Sequence, residues 1–219
     1  MKIGHFADIH IKGLSRHDEF RLVLSEAIDR MIETQVKHVM IVGDIFHTKT
    51  QGLTSEYFSF MTWWFNAMAE HFEVHMVLGN HDFNQLNLSR MDAISPIVEA
   101  INNPRVHLYK ESGVYPIEPG YNWCIFSIYD QDNWNKVVPV PGDVNIACFH
   151  GPVYGAVTET DWDIETDMQV DFFREKGFDF VFLGDIHRTQ FLDHRSIELE
   201  VDEEELKNFP NAYVIEEIV

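Results

Sequence analysis

Asp8 and His10 stand two residues apart in FADIH, so a strand continuing through them sends both side chains from one face. That is the spacing of metal ligands. Four more clusters share this character: Asp44 and His47 in GDIFH, Asn80-His81-Asp82 after Gly79, His150 before Gly151, and Asp185 and His187 after Gly184. Glycine beside a ligand lets the backbone turn sharply and approach closely. The donors are carboxylate, imidazole and amide with no thiolate, which suits manganese, iron, magnesium or zinc ions at a working site rather than a structural zinc cage. Two cations held a few ångströms apart need a shared ligand, and Asp44, on a central strand, is the natural bridge. Such a pair lowers the pKa of a bound water and neutralises charge on a phosphoryl oxygen. The chemistry this points to is phosphoester hydrolysis.

Each cluster closes a short apolar run, over residues 2–10, 36–47, 74–82, 144–151 and 178–187. Near-continuous apolar runs suit strands buried on both faces. Between them lie helical patterns: Phe20 to Ile32, where Val23, Leu24, Ala27, Ile28 and Met31 follow the i, i+3, i+4 rule, then Ser55 to His71, then Ser89 to Ile101 with Pro96 kinking or dividing it. Strands alternating with helices imply a largely parallel or mixed sheet covered by helices, with sites beyond the strand carboxyl ends. The middle, 106–144, reads as antiparallel strands with turns at Glu118-Pro119-Gly120 and Pro141-Gly142-Asp143. After His187, residues 195–202 alternate like a strand, 202–206 form an acidic, solvated stretch, and 212–219 read as a closing strand. Residues 1–190 are expected to form one domain, with 191–219 as a strand-like extension.

The chain has 219 residues, 45% apolar and 13% aromatic, which is ample material for a core and excludes a disordered chain despite a formal charge of −20. Its two cysteines, Cys124 and Cys148, sit inside apolar runs, so a disulfide scaffold is excluded and a reducing compartment is expected. The start, MKIGHFADIH, does not read as a signal peptide, and no run approaches the roughly 18 apolar residues of a membrane span. The expectation is a cytoplasmic protein with no membrane partner. The negative charge opposes binding of phosphate polymers. Clustered carboxylates nevertheless attract divalent cations, which reverse the field where a phosphate must sit. His5, His17, His38, His71, His75, His107 and His194 lack such a cluster and read as surface or hydrogen-bonded residues. The segment 55–71 is apolar nearly all round, so its second face must be covered by loops or by a second copy of the chain.

The order D-x-H, G-D-x-x-H, G-N-H-D, H-G and G-D-x-H resembles the calcineurin-like metallophosphoesterases. More closely, DIHIKG, VGDIFHTKT and GNHD resemble the nuclease subunits of SbcD type and their phage counterparts. The resemblance covers roughly residues 1–190. It implies a four-layer α/β sandwich, two mixed β-sheets flanked by helices, with a dinuclear site at one edge. It places one metal on Asp8, His10, Asp44 and His187 and the other on Asp44, Asn80, His150 and Asp185, with manganese as the expected ion. His81 would assist the leaving oxygen, His47 would position the phosphate, and Asp82 would orient the His81 ring. The implied function is a metal-dependent DNA exonuclease or endonuclease subunit for end processing in repair, recombination or phage replication. Its implied partners are DNA, an SMC-like coiled-coil ATPase of SbcC type and, through the helix at 55–71, a second copy.

Three departures stand against the pattern. Asp185 occupies a position where the family more commonly has histidine, and an oxygen donor there disfavours softer ions. The family cap and ATPase-docking segments have almost no room in 219 residues. The −20 charge is unfavourable for duplex binding. Two other readings therefore stay open: a small-molecule phosphodiesterase or phosphoprotein phosphatase, and a non-catalytic metal-binding regulatory subunit.

Overall fold

The computed structural model describes residues 1–13, 15–48, 53–188, 190–192 and the backbone of 212–215. The strands are β1 (Ile3–Phe6), β2 (His38–Val42), β3 (Glu73–Val77), β4 (Val106–Tyr109), β5 (Gly113–Glu118), β6 (Tyr121–Phe126), β7 (Val144–His150), β8 (Phe180–Gly184) and β9 (Ala212–Ile215). The helices are α1 (His17–Glu33), α2 (Ser55–Ala69), α3 (Ser95–Ile101) and α4 (Val170–Lys176). All five apolar runs become strands, and each strand stops at or just before its polar cluster. They sort into two sheets, ordered β4-β3-β2-β1-β9 and β5-β6-β7-β8. Both are mixed: β9 is antiparallel to β1, and β5 is antiparallel to β6, while the remaining pairings are parallel.

Alternation along the strands divides the core into layers. In β2, Val39 and Ile41 face the helices α1 to α3, while Met40 and Val42 face the second sheet. Trp123 and Ile125 from β6 and Ile146 and Cys148 from β7 meet them in the middle layer. The opposite residues, Cys124, Phe126, Ala147 and Phe149, pack against Phe173 of α4. The result is the four-layer sandwich, helices on two mixed sheets on a helix, that the sequence implied.

Two expectations need correcting. The third helix covers only Ser95–Ile101, because Pro96 opens it rather than dividing it: proline lacks the N–H that an interior turn needs, and the first turn does not need it. Asp92 caps that start, its Oδ1 accepting from Ile94 N at 2.9 Å and Ser95 N at 2.6 Å. The middle of the chain is not wholly antiparallel, since β4 joins β3 and β6 joins β7 in parallel. Much of the apolar surface of α2 is buried within this chain: Tyr57, Phe60, Met61, Trp64, Phe65 and Met68 are buried, and the Arg21 guanidinium of α1 lies 4.3 Å from the Trp63 ring centre. The strand expected at 195–202 and the acidic stretch at 202–206 lie outside the described residues.

The middle layer also holds polar residues at the end opposite the clusters. His38 Nδ1 lies 3.2 Å from His75 Nε2, His75 Nδ1 lies 2.9 Å from Tyr109 Oη, and His38 Nε2 lies 3.2 Å from Glu118 Oε1. Burial, with the neighbouring His107 and His38 adding to it, pushes the His75 pKa down to about 3. The unfolded chain therefore takes up a proton below pH 6.5 that the folded chain refuses, and this residue's share of stability is lost as pH falls. Between pH 6.5 and 5 that share is about 2 kcal/mol. His75→Gln, which keeps hydrogen-bonding capacity without titrating, is expected to lose that much less stability than the parent over this interval. Urea unfolding at both pH values, with chelator present throughout, measures the difference, and parallel losses in the two proteins would refute it.

Candidate metal centre

The carboxyl ends of β1, β2, β3, β7 and β8 converge at one edge of the sandwich. Asp8 and His10 do not reach the site on a continuing strand, as their spacing suggested, because β1 ends at Phe6. Both lie beyond it in the left-handed region, with φ 54° and 51°, as do Asp44 at 50° and Asp185 at 89°. Four non-glycine residues in that region at one site is a concentration of backbone strain. The backbone of 8–11 stays tied to the segment after β2, Asp8 N donating to Gly43 O at 3.1 Å and His10 N to Asp44 O at 3.0 Å.

Close backbone approach is needed where β2, β3 and β8 meet. A Cβ at Gly79 would collide with the backbone nitrogen and carboxylate of Asp44, and one at Gly184 would collide with Val42 O. These two glycines are sites of contact rather than sites of flexibility.

Ligand atoms of Asp8, His10 and His187 lie within 4.8 Å of one another, as do those of Asp8, Asp44 and His150 and those of His10, Asp44 and His81. Asp44 thus belongs to two of the groups. Its Oδ2 lies 3.6 Å from His10 Nε2 and its Oδ1 lies 3.4 Å from His150 Nε2. His10 Nε2 and His187 Nε2 face each other at 2.9 Å. Asp185 Oδ1 lies 3.8 Å from His150 Nε2 and accepts from Asn80 Nδ2 at 2.8 Å, so these two donors flank the Asp44–His150 pair. Every residue expected to hold metal is therefore in this cluster or against it.

The residues fit divalent ions. His150 Nδ1 donates to Val42 O at 2.8 Å, which leaves Nε2 turned to Asp44 and Asp185, and that buried nitrogen makes no hydrogen bond in the structure. The buried His10 Nδ1 is likewise without a hydrogen bond. Without cations the charges are badly matched. Burial pushes the Asp8 carboxyl up to about 6, and burial holds the His10 pKa down to about 4. Burial also works against the His150 cation, but the charge of the Asp44 carboxylate, 3.4 Å from its Nε2, outweighs it and raises this imidazole to about 9. A bound cation relieves both mismatches, favouring the ionised Asp8 and taking the place of the proton on His150.

His81 stands beside this cluster, Nε2 3.9 Å from Asp44 Oδ2 and ring edge-on to His10 with centres 4.7 Å apart. Its ring is set by His47 O, 2.7 Å from His81 Nδ1, and not by Asp82 as expected. Asp82 is buried and accepts from Phe46 N and Gly79 N, each at 2.8 Å. It clasps the segment after β2 to the segment after β3, and burial raises its carboxyl to about 7. The positioning groups that sequence reasoning missed are the carbonyls of Val42 and His47. Every residue has a carbonyl, so no residue type could have marked them.

The family model for calcineurin-like phosphoesterases matches residues 1–189. The chain is similar to an uncharacterized protein of Acanthamoeba polyphaga mimivirus, 32% identical over 210 residues, covering 87% of this chain and 15% of the relative. It therefore spans only a small part of that relative's length. Among solved structures it is similar to a nuclease MPE from Pseudomonas putida, at 14% identity and a TM-score of 0.40, covering 74% of this chain and 66% of the other.

Proposed function

This chain belongs to the calcineurin-like phosphoesterases, and we propose that it is a dinuclear metal-dependent phosphodiesterase acting on DNA. The observation that carries the hydrolytic reading is the sharing of Asp44 between ligand groups that include His10 on one side and His150 on the other. Asp8, His10, Asp44 and His187 would hold one ion, and Asp44, Asn80, His150 and Asp185 the other. Bound divalent ions would supply Lewis-acid charge at a phosphoryl oxygen and acidify a water. The chain's own residues do the rest. The His150 ring is fixed by Val42 O, and the His81 ring by His47 O. With Nδ1 so engaged, His81 in its imidazolium form has Nε2–H free to give a proton to a departing oxygen.

DNA as substrate rests on the likeness of DIHIKG, VGDIFHTKT and GNHD to SbcD-type nucleases. The same likeness supports manganese as the ion, an SMC-like ATPase of SbcC type as partner and a homodimer through α2. Exposed Leu22 and Val23 on the neighbouring α1 suit an added contact there. The −20 charge favours a second reading, a small phosphodiester substrate.

Release of acid-soluble fragments from single- and double-stranded DNA, with manganese, magnesium or chelator, separates the two. Manganese-dependent release that falls about 10²–10⁴-fold in His81→Ala, with metal content retained, is the expected result. Intact DNA together with hydrolysis of bis(p-nitrophenyl) phosphate would move the substrate to the small-molecule class. Silence on both would overturn the hydrolytic reading and leave a metal-binding regulatory subunit. No helix among the described residues is long and apolar enough to cross a membrane.

A further inference from the structure

Loops that leave the ligand clusters carry an unusual share of exposed apolar surface. Among the described residues, Leu86, Leu88 and Met91 follow the Asn80–Asp82 cluster, Tyr154 and Trp162 follow His150, and Phe191 follows His187. The largest of these side chains, Trp162, is 73% exposed. Its segment is ordered by its own hydrogen bonds. Val157 and Asp163 form an antiparallel bridge, Thr158 N donates to Trp162 O at 2.9 Å, Trp162 N donates to Thr158 Oγ1 at 3.1 Å, and Ile164 N donates to Ala156 O at 2.7 Å.

That hairpin is also fastened to the chain that carries the ligands Asp185 and His187. Arg188, next to His187, donates from Nη1 to Asp161 Oδ1 at 2.5 Å, one residue before the tryptophan. Gln190 holds both polar groups of Val157, accepting from its N at 2.8 Å and donating to its O at 2.9 Å. The indole is thus left in water on a hairpin pinned from two points to the segment that follows the ligand His187.

We infer that Trp162 is a stacking platform for an unpaired nucleobase of the substrate, and so determines specificity for single-stranded over duplex phosphodiesters. The inference deepens the phosphodiesterase reading above and rests on it. An aromatic face stacks on any base, and that part of the interaction requires no positive charge. The hairpin is acidic instead: Glu159, Asp161, Asp163 and Glu165 lie in the same stretch, and among the described residues Asp161 alone of the four is paired with an arginine. A duplex lying along this hairpin would bring its two phosphate strands against those carboxylates. A single splayed base would meet the indole alone, with one phosphate rather than two strands of them to bring near the carboxylates.

The test compares equilibrium binding of two phosphorothioate-linked tetranucleotides, one of thymidines and one abasic, by fluorescence anisotropy in manganese. Hydrolysis of methyl p-nitrophenyl phosphate is measured in parallel. The thymidine oligomer is expected to bind roughly tenfold more tightly than the abasic one. Trp162→Ala should erase that preference, Trp162→Phe should keep most of it, and all three proteins should hydrolyse the methyl ester equally. Equal binding of the two oligomers by the parent protein, or a preference that survives Trp162→Ala, overturns the inference. If the ester is still hydrolysed in that case, the phosphodiesterase reading stands. A Trp162-dependent preference with no hydrolysis of any ester would support base stacking while sinking the hydrolytic reading.

Discussion

Asp44→Asn is expected to lower hydrolysis of bis(p-nitrophenyl) phosphate on the order of 10³-fold and to weaken binding of both metal ions, with little change in thermal stability. One Asp44 oxygen faces His150 and accepts the His81 N–H at 2.7 Å, while the other faces His10 and the His81 ring. Asparagine keeps the shape and one accepting oxygen, so the backbone bond from His81 survives. It lacks the charge that two cations share, and its second terminal atom is a donor, which cannot ligate. Chelator should reproduce the loss in the parent protein, and added manganese should restore the parent but not the variant. Calorimetric metal titration read beside the melting curve decides the matter. A variant that binds both ions and turns over at the parent rate would remove Asp44 from its bridging place.

Gly79→Ala is expected to damage stability and metal binding together, although it adds one methyl group and changes no ligand. The new Cβ would collide with Asp44 N, the Asp44 carboxylate and the His150 ring. None of these can yield freely. The Asp44 backbone is held by its carbonyl bond from His10, and the His150 ring by Val42 O. Overpacking of this kind costs about 1–3 kcal/mol, and the side chains that move to relieve it are among those proposed to hold the ions. Urea unfolding of the chelated protein should show the loss. Metal titration should show an affinity lowered by roughly tenfold or more, as when groups that orient ligands are removed. Unchanged affinity in a destabilised variant would mean that the strain is relieved away from Asp44.

Donor chemistry and strand order were legible in the residues themselves. Runs such as VMIVGD and VFLGD announce a buried strand ending at a carboxylate, because apolar residues on both faces exclude a surface strand and a charged side chain cannot continue into the core. Five such endings at one kind of position already imply one shared edge. Pro96 was legible too, but its sign was misread, since the same missing N–H that divides a helix also starts one.

The aim of these side chains, by contrast, is set by packing between distant segments. The left-handed turns at Asp8, His10, Asp44 and Asp185 set the ligand directions, and local sequence gives no reason for aspartate or histidine to hold that strain. It persists because Gly79 and Gly184 let three strand ends close on one another. Likewise, GNHD suggested that Asp82 serves its neighbour His81. Folding instead buries Asp82 against Phe46 N and Gly79 N and gives His81 to a carbonyl 34 residues away. Residue types alone mark which atoms could bind metal and which apolar runs carry them. Their orientation came from backbone groups that look alike at every residue, and only packing brings those groups within hydrogen-bond reach.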